Sequence, residues 1–415
     1  MVIRMMENSR HKARSSASTS GERTGIAMVH WLPLEFYPPT INLLRFLNAT
    51  GRWEIVLFTS VNHLDRPPLS LDGVTIVRSS APGLVKGWRR ALAYAGFQIR
   101  ALRELFSQRP QVILYVEPQS ALPVFLYHLR HRSIPIFIHH HEYHDPHQFL
   151  RRGMRLVRFF HWIEKRWLFR SAVWISHTND DRLRLFHRDN PGLDEATLKI
   201  LPNLPPASWT GRGCASWSGE DAGFPLRFVY IGSLSLRDTY IAEFIGWLRT
   251  KPPGTVEFDI YSFNLDKETA TFLETVDSDL VRFHREGVDY DDIPERVGSS
   301  HFGLLLYRAN TTNYQYNASN KLFEYLACGL DVIYPDKMLG VRPHREEETF
   351  PRLIEVDFES LELPELATLA SRRGLHPRSP DLCAELVLQP LETALLQEGG
   401  LSNRRVRVES NGMKA

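Results

Sequence analysis

Lys321 and Glu324 stand three residues apart behind Ser319, in the run Ala318–Pro335, ASNKLFEYLACGLDVIYP. A spacing of three puts both side chains on one face of a helix, and Ser319 can cap that helix. The positive dipole end, its outward N–H groups and the Lys321 ammonium together attract a diphosphate. Glu324, one turn further on, can accept two hydrogen bonds from ribose hydroxyls. Gly329 ends the helix, with Phe323, Leu326 and Ala327 facing inward, and Val332–Tyr334 reads as the next buried strand. The same residues also fit an ordinary αβ unit with a surface ion pair, since such units recur in α/β proteins.

A second chemical cluster is His139, His140, His141, Glu142, His144, Asp145 and His147. Imidazole and carboxylate are good metal ligands, but no closed tetrahedral spacing is present, and no metal is expected. Strand-end histidines satisfied by ordinary hydrogen bonds are a second reading. In the third, a strand ending at Ile138 projects the cluster into a cleft, where His144 and Glu142 orient a reacting hydroxyl or a departing phosphate. Alternation along a strand keeps the three consecutive histidines from facing one way. Downstream, residues 150–170 interleave Arg151, Arg152, Arg155, Arg158, Lys165, Arg166 and Arg170 with Phe159, Phe160, Trp162, Trp167 and Phe169. That pattern suits an anionic membrane surface. It equally suits a two-sided surface helix ahead of the strand Val173–Ile175.

Positioning such groups needs a large scaffold. A chain of 415 residues exceeds the size at which one core stops growing, and 43% hydrophobic residues is enough for two cores. A net charge of +2 gives no global reason to expect nucleic acid. Cys214, Cys328 and Cys383 are odd in number and widely separated, and read as reduced thiols of a cytoplasmic protein. Residues 1–24 are charged without an apolar stretch and read as a retained disordered tail. Ile26–Leu32, Glu54–Ser60, Val74–Val77 and Val112–Val116 read as strands, with helices over Thr40–Thr50 and Gly87–Ser107 between them. Strands alternating with helices predict an α/β fold, two Rossmann-like units with parallel sheets covered on both faces. The predicted units are 25–203 and 226–380, joined by a linker at 204–225 that lacks periodicity. The second unit continues through Val256–Tyr261, Val281–Phe283 and Phe302–Tyr307. A helix at 381–398 and a tail at 399–415 close the chain. Ligands of such sheets sit at the carboxyl ends of strands, where the candidate loops fall.

The Lys-x-x-Glu-Tyr helix followed by Gly-x-x-Val-Ile resembles the donor-site signature of the family-4-like retaining glycosyltransferases of the GT-B fold. The resemblance runs in order over most of the chain. Ile138–Tyr143 is similar to the family's acceptor-side strand end, Ile200–Asn203 to the stretch entering the linker, and Val229–Leu234 to the first strand and glycine loop of the second unit. His301–Tyr307 is similar to the strand before the donor helix. The resemblance implies a transferase moving a sugar from a UDP- or GDP-linked donor to an acceptor hydroxyl, on a glycan, a lipid-linked molecule or a small molecule. It further implies retention, no permanent cofactor or metal, and an acceptor unit that the terminal helix packs back against. The donor would be held by Gly232, Ser233, Arg237, Asn317, Ser319, Asn320, Lys321 and Glu324. A cytoplasmic protein, peripheral at the inner membrane face, fits that chemistry. Three departures stand out: Asp238, beside Arg237, occupies the place where the commonest pattern has Lys, Tyr316 occupies the place of the first Glu that many members carry, and Asp331 stands where the family often has Pro. A sugar-nucleotide epimerase on the same scaffold and a non-catalytic nucleotide-sugar binder or partner subunit remain as rivals.

Overall fold

A computed structural model describes residues 23–61, 68–79, 88–151, 153–212, 217, 220–263, 265–379 and 382–412, with no side chains given for 88, 90 and 401–412. Tail residues 1–22, Gly87, Arg152, Cys214 and Pro380 lie outside those residues. Among the described residues, one parallel sheet is built from β1 (Thr24–His30), β2 (Trp53–Ser60), β3 (Val74–Ser79), β4 (Val112–Val116), β5 (Ile136–His140), β6 (Ala172–His177) and β7 (Leu198–Ile200). Their order is β3-β2-β1-β4-β5-β6-β7. A second parallel sheet contains β8 (Leu226–Ile231), β9 (Val256–Tyr261), β10 (Val281–His284), β11 (Phe302–Leu304), β12 (Asp331–Pro335) and β13 (Leu353–Val356), in the order β10-β9-β8-β11-β12-β13.

Period-two alternation explains why both faces of each sheet are dry. In the first sheet Ala27, Val29, Phe58 and Tyr115 enter one core, while Ile26, Met28, Leu57 and Leu114 enter the other. Phe228, Tyr230 and Leu304 split in the same way from Val229, Ile231 and Val332 in the second. The last helix, Ala384–Gly412, runs past the predicted boundary at 398. Its Leu388, Leu391 and Leu395 pack with Ile26, Met28 and Leu114, so the end of the chain lies on the first sheet.

Other elements also depart from their predicted bounds. β5 runs two residues beyond Ile138, because His139 and His140 keep pairing with Val116, Ser176 and His177. β11 stops at Leu304, short of the predicted Tyr307; there the chain turns so that Leu306 accepts from Tyr240 N and Tyr307 bridges Thr239. The basic aromatic segment is an α-helix over Arg155–Ile163 that widens into a π-helical turn at Glu164–Leu168. Cys328 and Cys383 are free and buried. No helix among the described residues is long and apolar enough to cross a membrane.

Candidate active site

The carboxyl ends of the two sheets face each other across a cleft of about 1280 Å³. His141, Glu142 and Arg182 line it from the first unit, and Gly232, Lys321 and Glu324 from the second. Two glycines determine how the Asn320–Ala327 helix sits on its sheet. A Cβ on Gly303 of β11 would come within 2.3 Å of the Tyr325 ring, and one on Gly232 within 2.7 Å of Lys321 Cε. Lys321 and Tyr325 are four apart, so one helical stripe lies directly on bare backbone. Gly232 also has φ +121°, a conformation that disfavours any side chain. Its loop is held by Gly232 N donating to Tyr261 O and by the Tyr230 hydroxyl donating to Ser233 O.

Lys321 Nζ donates to the Tyr307 hydroxyl at 3.0 Å and lies over the Tyr230 and Tyr307 rings. Burial opposes its charge, but Tyr307, Tyr230 and Glu324 more than offset this and raise its pKa. Glu324 is 5% exposed, and burial lifts its carboxyl to about 7 despite the pull of Lys321. The cleft therefore presents a fixed cation beside a carboxyl poised between its two protonation states. Ser319 occupies the N-cap position and lines the cleft, yet its hydroxyl makes no capping bond, and its buried oxygen has no hydrogen-bond partner.

Across the cleft, Glu117 holds the backbone that follows β5. Its φ is +66°, and one carboxylate oxygen accepts from His141 N at 2.7 Å and Glu142 N at 3.1 Å. Burial works against its charge, and His140 and the neighbouring imidazoles draw its pKa down. His139 is absorbed in the sheet, bonded to Ser176 Oγ at 2.9 Å. His141 is buried at the cleft wall, and desolvation takes its pKa to about 4, so its imidazole is neutral.

The two units also touch. Arg182, 2% exposed, donates to His141 O, Thr178 Oγ1 and, across the gap, Asn313 O at 2.8 Å. Asn313 Oδ1 accepts from Tyr143 N, and Asn179 Nδ2 donates to Tyr316 O at 2.7 Å. On the other flank Arg45 pairs with Asp291 through two bonds, and Asn42 Nδ2 donates to the Tyr290 hydroxyl.

Of the residues singled out in the sequence, Gly232, Ser233, Asn317, Ser319, Asn320, Lys321, Glu324, His141 and Glu142 line this cleft. Arg237 is exposed and outside its lining, and His144 lines a separate, smaller cavity. Tyr316 contributes its carbonyl to Asn179 and is not among the lining residues. Arg182, Asn313, Tyr307 and Tyr290 escaped the sequence reading. Their partners lie far along the chain, and only Tyr307, at the end of a recognisable strand pattern, carried a local signal. No group of three or more His, Cys, Asp or Glu able to hold a metal ion occurs among the described residues.

Residues 40–203 match the glycosyl transferase 4-like domain family. No curated protein matches the chain. Among solved structures it is similar to the apo form of the lipopolysaccharide outer core galactosyltransferase WaaB, at 12% identity and TM-score 0.57, over 90% of this chain and 100% of that one. It is similar to HepE of Anabaena in complex with UDP, at 10% identity and TM-score 0.60, over 90% and 100%. Sucrose-phosphate synthase from Thermosynechococcus elongatus is 14% identical with TM-score 0.59, over 93% and 100%. The architecture is GT-B, with two parallel α/β sheets facing one cleft.

Proposed function

We propose that this chain, a GT-B fold with a glycosyl transferase 4-like segment, transfers a sugar from a nucleotide-sugar donor to an acceptor hydroxyl with retention of configuration. The carrying observation is the juxtaposition of Lys321, Gly232 and Glu324 on one wall of the cleft. HepE, similar in fold, has been seen with UDP and with UDP-glucose. Breaking a sugar–diphosphate bond leaves negative charge on the leaving group, and a preorganised cation there lowers the barrier. Lys321 and the helix N-terminus supply that charge, while bare backbone at Gly232 lets the phosphates approach. Glu324 tethers the ribose. Arg237 reaches the diphosphate only by swinging inward from its exposed loop. Glu142 faces the acceptor side, His144 orients the acceptor from its own cavity, and closure of the units keeps water from hydrolysing the donor.

Titration calorimetry with UDP tests this reading. Lys321→Ala and Glu324→Ala should each weaken binding about tenfold to hundredfold, since a hydrogen bond to a charged group is worth roughly 1.5–3 kcal/mol. Unchanged affinity in both variants would overturn the assignment. A second reading, a non-catalytic nucleotide-sugar binder, is favoured by Tyr316 at the place of the first Glu. Turnover of a nucleotide-sugar by the purified protein separates the two.

A further inference from the structure

Beside the main cleft lies a second cavity of about 250 Å³, and Glu142 lines both. Two buried polar side chains on its wall carry atoms with no hydrogen-bond partner: both ring nitrogens of His177 and Oδ1 of Asn190. These residues are 2% and 7% exposed. Orphaned polar atoms at that depth call for a ligand or ordered water. Burial, reinforced by His140, holds the His177 pKa well below its ordinary value. Its ring is therefore neutral and offers one donor and one acceptor, while Asn190 Oδ1 offers an acceptor. Paired donors and acceptors match hydroxyl groups, which both give and take hydrogen bonds, and Lys165 and Asp189 on the same lining add a charged donor and acceptor.

Its apolar walls are Phe149, Phe186, Pro118 and Pro146, with Trp162 and Leu150 at the mouth, where they are 52% and 66% exposed. Flat aromatic faces around a few convergent polar groups are how small-molecule pockets combine contact area with orientation. The volume equals that of about eight waters at roughly 30 Å³ each, room for one sugar ring. We infer that this cavity binds a monosaccharide unit of the acceptor, with its hydroxyls on His177 and Asn190, its C–H face on the aromatic wall, and Glu142 between it and the donor. This rests on the transferase reading and names its acceptor class as a saccharide. Arg158, exposed at the rim, faces whatever extends outward from that ring.

Saturation-transfer NMR on the full chain, with UDP saturating the main cleft, tests the inference using methyl glycosides of glucose, galactose, mannose and N-acetylglucosamine. At least one should bind with UDP present. Trp162→Ala and His177→Phe should each weaken it about tenfold, or ~1.4 kcal/mol, with UDP affinity unchanged. Should His177→Phe fail to fold, Trp162→Ala at the solvent-facing mouth carries the test alone. Binding by none of the four glycosides, which leaves only water in the cavity, overturns the inference. So does binding that UDP displaces, or binding that Trp162→Ala leaves untouched. UDP bound without any glycoside sinks the saccharide site and spares the donor reading. Glycoside bound in a protein that takes no UDP does the reverse.

Discussion

Glu324 makes the cleft sensitive to pH in a direction that can be worked out. Burial raises its carboxyl from 4.5 to about 7, so the unliganded protein is partly protonated near neutrality. Tethering a ribose through two accepted hydrogen bonds requires the ionised form. Affinity for UDP-glucose, whose diphosphate does not titrate in this range, should rise between about pH 6 and pH 8 and then level off. Glu324→Gln, neutral throughout, should bind more weakly and without that slope. A wild-type affinity flat across the interval would show that this carboxyl does not touch the donor. Gly232 tests the lysine's position independently. A Cβ there would stand 2.7 Å from Lys321 Cε on a backbone with φ +121°. Gly232→Ala should therefore displace the ammonium and cut UDP affinity about tenfold, through the loss of roughly one charged hydrogen bond. The lysine end is flexible, so the fold should survive; circular dichroism can verify this beside the calorimetry.

The π-helical turn Glu164–Leu168 is an element whose cost is visible in one residue. Glu164 is fully buried, accepts from the Tyr115 hydroxyl at 3.0 Å, and lies 3.2 Å from His161 Nδ1 and 3.6 Å from His140 Nε2. Desolvation raises its carboxyl from 4.5 to about 7. The folded state then holds a proton that the unfolded state releases, and stability falls as pH climbs from 4.5 through 7. Above that the penalty is constant at about 3 kcal/mol. Glu164→Gln, which keeps an acceptor for Tyr115, should gain melting temperature over wild type at about pH 8 and much less at about pH 5. A difference independent of pH would refute the burial argument. Elements like this one were only half legible in the sequence. Apolar runs located the central strands, and the Lys321 helix declared itself through its start, its spacing and Gly329. The end of β5 did not, because polar His139 and His140 satisfy a strand through Ser176 and a carboxylate pair that lie distant in sequence. Nor did the widened turn, since a buried Glu among arginines and aromatics looks like a solvated helix face until its tyrosine partner is known.

At the scale of the whole molecule, bridges close the cleft on both flanks, and their exposure decides which one holds. The Arg45–Asp291 pair has good geometry, but its side chains are 33% and 60% exposed. Screening and side-chain entropy leave such pairs roughly 0–1 kcal/mol. Arg182 is buried, and its removal leaves the carbonyls of His141 and Asn313 and the Thr178 hydroxyl without their donor. Each buried group left unpaired costs about 1–3 kcal/mol. Arg182 thus ties the backbone beside Glu142 to the short helix Thr312–Gln315 ahead of the Lys321 helix, and so links the two walls of the cleft. Amide hydrogen exchange over residues 311–317 and 141–145 should speed up markedly in Arg182→Met and change little in Arg45→Ala. With the cleft loosened on that side, the same variant should lose turnover more than UDP affinity, because the proposed diphosphate and ribose contacts, Lys321 and Glu324, belong to the second unit. Equal exchange in the two variants would mean that the units are held by the exposed pair, and a fall in UDP affinity as large as the fall in turnover would place Arg182 among the donor contacts.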